Sequence, residues 1–122
     1  MSLPALLAAS DARPGGYRDL PPLEAAAHLA ALHLVDVREP DEFTGPLGHV
    51  PGAELIPLST VRTSVGQLDP AAPTLVICRS GGRSARAASE LVALGFTEVY
   101  NLAGGMLAWD AHELPREGGV VR

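Results

Sequence analysis

Residues 78–86 read CRSGGRSAR, which places the chain's one cysteine ahead of two adjacent glycines and three arginines. A cysteine is a nucleophile only as its thiolate, and this setting favours the thiolate. The apolar run TLVIC (74–78) reads as a buried strand that carries Cys78 to a sheet edge. RSARAASELVAL (83–94) reads as the helix that follows, with Ala87, Leu91 and Leu94 along one stripe and Gly95 as its stop. Gly81 and Gly82 let the connection curl so that successive N–H groups turn inward. The first helical turn adds unpaired N–H groups and the positive end of its dipole, and Arg79, Arg83 and Arg86 add formal charge. Such surroundings lower a cysteine pKa from about 8.5 to roughly 3.5–7.5, and the same cradle binds small anions. The competing reading is an inert core cysteine with solvated arginines on a helix face. It explains each residue singly but not strand, thiol, paired glycines, arginine and helix in that order.

The elements that must position this loop are short and alternate in type. Residues 1–16 end in the breaker cluster RPGG and read as a leader segment ahead of a folded body spanning 17–114. YRDL (17–20) suits an edge strand. PPLEAAAHLAAL (21–32) suits a helix opening on proline, with Leu23, Ala27 and Ala30 at helical spacing. HLVDV (33–37) and AELI (53–56) are brief apolar strands, PDEF (40–43) one helical turn, GPLGHVPG (45–52) a loop, and 58–65 a short helix. After the linker DPAAP (69–73), EVYN (98–101) makes a further strand and GGMLAWDAHEL (104–114) a last helix, while the tail 115–122 has no assignment. Buried strands joined by helices give an α/β domain, a mostly parallel central sheet with helices on both faces. Ligands in such folds sit beyond the carboxyl ends of the strands, where Asp36 and Cys78 both fall.

LVDVREPDEF (34–43), GHVPGA (48–53), LVICRSGGRSARAA (75–88) and NLAGGMLAW (101–109) follow one another in the order seen in one family. On these segments the chain resembles the rhodanese (sulfurtransferase) domain from about residue 17 to residue 114. The resemblance implies a rhodanese-like fold in which Cys78 takes sulfane sulfur from a donor such as thiosulfate, forms a persulfide, and hands it to a thiophilic acceptor. It implies that Arg79, Ser80, Gly81, Gly82, Arg83 and Ser84 form the substrate-binding loop, with Arg79 and Arg83 on the donor's anionic oxygens. No metal or organic cofactor is implied. The partners are a small anionic sulfur donor and a thiol or cyanide-type acceptor, or a sulfur-accepting protein. Thiosulfate, mercaptopyruvate, a persulfidated protein and glutathione persulfide all stay open as donors. The alternatives are a non-catalytic binding or sulfur-carrier module, and a cysteine-dependent phosphatase or arsenate reductase. Those phosphatases place one residue more between cysteine and arginine, and usually a histidine where Ile77 stands. A shorter ring suits a sulfur atom better than a phosphoryl group.

Asp36 and Arg38 fall in the segment DVRE and act as supporting residues. They are read as structural, in an ion pair with Glu39 or Glu42, with orientation of the loop or substrate as the alternative. His49 is read as part of a turn. TGPLG (44–48) lengthens the connection before it relative to many members and is expected to reshape the pocket rim. His28, His33 and His112 are scattered and suggest no metal site. Met106 and Trp109 read as packing, and Gly104 and Gly105 as permitting close approach of the last helix to a neighbouring loop.

The length of 122 residues suits one domain, and a hydrophobic fraction of 47% supplies a core without a disulfide or metal. A net charge of −5 argues against nucleic acid as a partner. The N-terminal stretch lacks the positive residues of a signal peptide, and no segment reaches bilayer-spanning length. A lone cysteine favours a reducing compartment, so a soluble cytoplasmic protein without membrane partners is expected. All nine basic residues are arginine, from which nothing functional follows.

Overall fold

The computed structural model describes residues 4–119. Six strands form one sheet: β1 (Asp11–Ala12), β2 (Arg18–Leu20), β3 (His33–Asp36), β4 (Glu54–Leu55), β5 (Thr74–Ile77) and β6 (Val99–Leu102). Their spatial order is β1-β2-β6-β5-β3-β4. Only the β1–β2 pair is antiparallel. The mostly parallel sheet read from the strand pattern is what forms, with β5 flanked by β6 and β3.

Because side chains alternate along a strand, β5 feeds both faces of the sheet. Leu75 and Ile77 join Tyr100 and Leu102 in one core, while Val76 and Cys78 join Val35 and Val37 in the other. The first face is covered by α1 (Pro4–Ala9), α2 (Pro22–Ala26) and α6 (Gly105–Ala111), which contribute Leu6, Ala25, Met106 and Trp109. The second is covered by α5 (Gly82–Ala93) through Ala87, Ala88 and Leu91, and by Val61 of α4 (Val61–Ser64). Each large apolar side chain so buried contributes about 1.5–3 kcal/mol. Cys78 therefore faces α5, at the carboxyl end of a central strand that the buried cores hold on both sides. The single turn α3 (Pro40–Phe43) follows β3 and carries a capping box between Glu39 and Glu42.

Three local expectations change. Residues 4–16 join the body instead of preceding it: Leu6 is fully buried, and the Arg18 guanidinium donates to the carbonyls of Leu7 (3.0 Å) and Ser10 (2.7 Å). The RPGG cluster that suggested a break is the hairpin turn between β1 and β2, closed by Arg13 N–H on the Tyr17 carbonyl at 2.9 Å. Between residues 21 and 32 the helix splits into α2 and a 3-10 turn at Leu29–Ala31. Its Leu23, Ala27 and Ala30 stripe faces solvent. A competing stripe wins, because Pro22, Ala25, Leu29 and Leu32 offer more apolar surface at the same helical spacing.

The tail also gains structure. His49 and Glu117 exchange backbone hydrogen bonds of 2.9 and 2.8 Å, and Trp109 Nε1–H donates to the Pro115 carbonyl at 2.8 Å. Residues 120–122 lie outside the described residues. Among those described, no helix is long and apolar enough to cross a membrane.

Candidate active site

Cys78 is the first residue past β5, and its carbonyl accepts the N–H of Met106 at 2.9 Å; the next carbonyl, of Arg79, accepts the N–H of Leu107 at 3.0 Å. These two bonds satisfy amides of the first turn of α6 and turn both carbonyls outward. In a trans peptide the following N–H points the opposite way, so the Ser80 amide is aimed back toward the sulfur. The approach needs Gly105. A Cβ there would sit 2.5 Å from the Arg79 carbonyl oxygen and 2.6 Å from that of Cys78, and its φ of +60° is left-handed. The close approach expected of Gly104 and Gly105 is thus present.

Gly81 caps α5 with φ +105°, a conformation that L side chains rarely adopt, and its N–H donates to Cys78 Sγ at 3.0 Å. The Ser84 hydroxyl stands 3.2 Å from the same sulfur. The thiol is buried, 1% exposed, and burial alone raises its pKa. The Ser84 hydroxyl and the backbone amides of Ser84, Gly81 and Ser80 outweigh that effect and bring the thiol below its ordinary value. The inward amides expected from the sequence are in place.

The guanidinium groups are not arranged as expected. Arg83 pairs with Glu42 through two hydrogen bonds of 2.7 and 2.8 Å. That pairing pulls the Glu42 carboxyl down to about 2. Arg86 lines a separate cleft between α4 and α5 with Leu58, Ser59, Arg62, Ser89 and Glu90. Among the described residues, Arg79 beside the loop has no polar side-chain partner. The direct contacts on the sulfur are an amide and a hydroxyl, and Arg83 reaches it only through space.

Asp36 and Arg38 pair with each other, not with Glu39 or the Glu42 carboxylate. Arg38 Nε donates to Asp36 Oδ1 at 3.0 Å and Nη2 to Oδ2 at 2.8 Å, with both side chains essentially unexposed. The same guanidinium donates to the carbonyls of Gly48 (2.7 Å) and Glu42 (3.2 Å). A buried ion pair is tolerated when its remaining donors are satisfied, and here those donors hold the connection 42–48 against the end of β3. His49 stacks on Phe43 with ring centroids 3.7 Å apart and bonds the Phe43 carbonyl, as a structural residue would.

Asn101 was not singled out from the sequence. It faces the α5 side of β6, with its carboxamide oxygen on the Ser84 hydroxyl and its nitrogen donating to Gly81 O (3.2 Å) and Asp19 Oδ1 (3.0 Å). The signal was present: an amide side chain in a strand otherwise buried on both faces must find partners, and the loop after Cys78 supplies them.

The comparisons with known proteins bear on the family and the fold. The family model of the rhodanese-like domain matches residues 21–112. The chain belongs to the rhodanese-like domain family. An uncharacterized protein of Bacillus subtilis, YqhL, is 45% identical over 86 residues, covering 70% of this chain and 67% of that protein. The thiosulfate sulfurtransferase GlpE of Pseudomonas putida is 40% identical over 78 residues, 64% of this chain and 69% of its own. Among solved structures, a rhodanese-related protein from Thermoplasma volcanium superposes with a TM-score of 0.75 at 30% identity, covering 81% of this chain and 96% of that one. In this rhodanese-like chain, the family model begins after the β1–β2 hairpin and α1, which pack onto the domain from outside the matched region.

Proposed function

We propose that this rhodanese-like domain is a sulfurtransferase working through a persulfide on Cys78. The observation that carries the reading is the pair of donors on one sulfur, Gly81 N–H at 3.0 Å and the Ser84 hydroxyl at 3.2 Å. The Cys78 thiolate attacks the outer sulfur of a thiosulfate-type donor. A new S–S bond forms, the donor's own S–S bond breaks, and sulfite leaves with the electron pair. The negative charge then resides on the outer sulfur of the persulfide, where the inward amides of the loop can hold it. Arg79 meets the donor's anionic oxygens, since Arg83 is committed to Glu42. An acceptor thiolate or cyanide attacks the outer sulfur, and Cys78 regains its thiolate. The names of relatives such as GlpE support this choice of donor. A thiol that must stay reduced suits a cytoplasmic setting.

The test is direct. Incubation with thiosulfate is expected to add one sulfur to the mass of the Cys78 peptide, and cyanide to release it as thiocyanate. Cys78→Ser is expected to abolish both while the circular dichroism spectrum stays unchanged. A protein that gains no sulfur and makes no thiocyanate is not a sulfurtransferase of this kind.

A further inference from the structure

A cleft of about 310 Å³ lies beside the active loop, lined by Arg38, Glu42, Pro46, Leu47, Arg79 and Leu107. That volume falls within the roughly 300–1,000 Å³ typical of sites for small organic molecules, and it is more space than an inorganic oxyanion needs. We propose that this cleft selects the sulfur acceptor: a small organic thiol whose carboxylate pairs with Arg79 while its carbon chain lies against Pro46, Leu47 and Leu107. The proposal rests on the persulfide reading above.

Charge identifies the anionic end. The Glu42 carboxylate is held by Arg83 and the Arg38 guanidinium by Asp36, whereas Arg79 has no polar side-chain partner among the described residues. A planar guanidinium with free donors matches a carboxylate in two parallel hydrogen bonds. Wall chemistry identifies the rest. Leu107 is 40% exposed on α6, and Pro46 and Leu47 belong to the lengthened connection 44–48. Those walls are held in place before any ligand arrives. Arg38 anchors Gly48, Arg116 donates to the Pro46 carbonyl at 3.1 Å, and the His49–Glu117 bridge pins the chain just after the connection. A preformed wall selects among acceptors instead of adapting to each. Arg79, which lines the cleft, directly follows Cys78 in the chain, so an acceptor seated there lies next to the loop that holds the sulfur. One guanidinium can serve donor and acceptor in turn, because sulfite departs before the acceptor binds.

In the step itself, the acceptor thiolate attacks the outer persulfide sulfur and forms a new S–S bond. The bond between that sulfur and Cys78 Sγ breaks, and its electron pair returns to Cys78. The product is the acceptor's persulfide, so no external oxidant or reductant is needed.

The experiment loads the full chain with thiosulfate, confirms the added sulfur by mass, and follows discharge by 3-mercaptopropionate, 2-mercaptoethanol, cysteamine and a reduced protein dithiol. Rates are expressed per thiolate, since thiol pKa values differ. The carboxylate thiol is expected to saturate and to exceed mercaptoethanol by about tenfold, the worth of one hydrogen-bonded charge contact, with cysteamine slowest. Leu107→Glu, a surface change that places a like charge in the cleft, is expected to bring the mercaptopropionate-to-mercaptoethanol ratio to one or below. Leu107→Gln is expected to give an intermediate ratio. Equal rates for the three small thiols overturn the proposal, as does a protein dithiol that outpaces them all with rates insensitive to Leu107. Loading followed by such indifference removes this inference alone. Failure to load removes the persulfide reading and this inference with it.

Discussion

The Ser84 hydroxyl stands between two acceptors, Cys78 Sγ and the carboxamide oxygen of Asn101. It has one proton to give. While Cys78 is a thiolate the hydroxyl donates to the sulfur. Once the charge has moved to the outer sulfur of a persulfide, Asn101 is the better acceptor. Asn101 also donates to the Gly81 carbonyl, which helps fix the turn from which the Gly81 N–H reaches the sulfur.

Ser84→Ala therefore removes one charge-directed hydrogen bond worth about 1.5–3 kcal/mol. The midpoint of iodoacetamide alkylation is expected to rise by roughly one to two pH units. Asn101→Ala frees the Ser84 proton for the thiolate but loosens the Gly81 turn, so it should move the midpoint by less than Ser84→Ala does. An unchanged alkylation profile in Ser84→Ala would show that the hydroxyl does not act on the sulfur.

Arg38→Met is expected to cost about 3–5 kcal/mol, because it leaves the Asp36 carboxylate buried without its partner. The urea midpoint should fall accordingly. The double variant Asp36→Leu with Arg38→Met should recover much of the loss, since no lone charge remains. Recovery of folding without recovery of sulfur transfer would show that the pair matters chiefly for seating the connection 42–48.

Gly105→Ala forces a Cβ to within 2.5 Å of the Arg79 carbonyl at a φ of +60°. The destabilisation is expected to be at least about 2 kcal/mol. The thiol pKa should move toward its ordinary value, because the peptide planes after Cys78 lose their anchor on α6. A thermal melt and an alkylation profile on the same sample separate the two effects.

The Glu42–Arg83 pair sets an acid limit. The Glu42 pKa lies at about 2 in the folded protein against an ordinary 4.5. The pair thus contributes stability above about pH 4.5 that is lost as the pH falls toward 2. Both side chains are partly exposed, so the contribution is on the order of 1 kcal/mol. Glu42→Gln should flatten the acid limb of a urea-midpoint-against-pH curve over that window, and Arg83→Ala should do the same.

The central strands were legible in the sequence as short β-branched apolar runs, and α5 as an apolar stripe flanked by Gly81 and Gly95. The loop after Cys78 was legible because Gly81 and Gly82 mark where the backbone must turn. What could not be read was the choice among partners. Arg83 faces Glu42 instead of the sulfur, and Arg38 faces Asp36 instead of the acidic residues beside it. Those choices depend on which side chains the sheet brings together from distant parts of the chain. Asn101 illustrates the same limit, since its value lies in contacts with Asp19, Gly81 and Ser84 that no local pattern encodes. The stripe of Leu23, Ala27 and Ala30 failed for a different reason: two apolar faces of similar size competed, and only packing decides between them.

The sulfur is steadied by amide dipoles and a hydroxyl a few ångströms away, and this has a consequence for its response to electrolyte. Mobile ions weaken attractions between exposed charges once the Debye length shrinks below their separation, but they cannot enter a sealed contact between an N–H and a buried atom. Adding salt should therefore shift the ionisation of Cys78, where only the through-space attraction to Arg83 is screened, less than it weakens the capture of anions by the exposed Arg79. Reactivity and recruitment, joined in adjacent residues, are set to respond to the surrounding medium to different degrees.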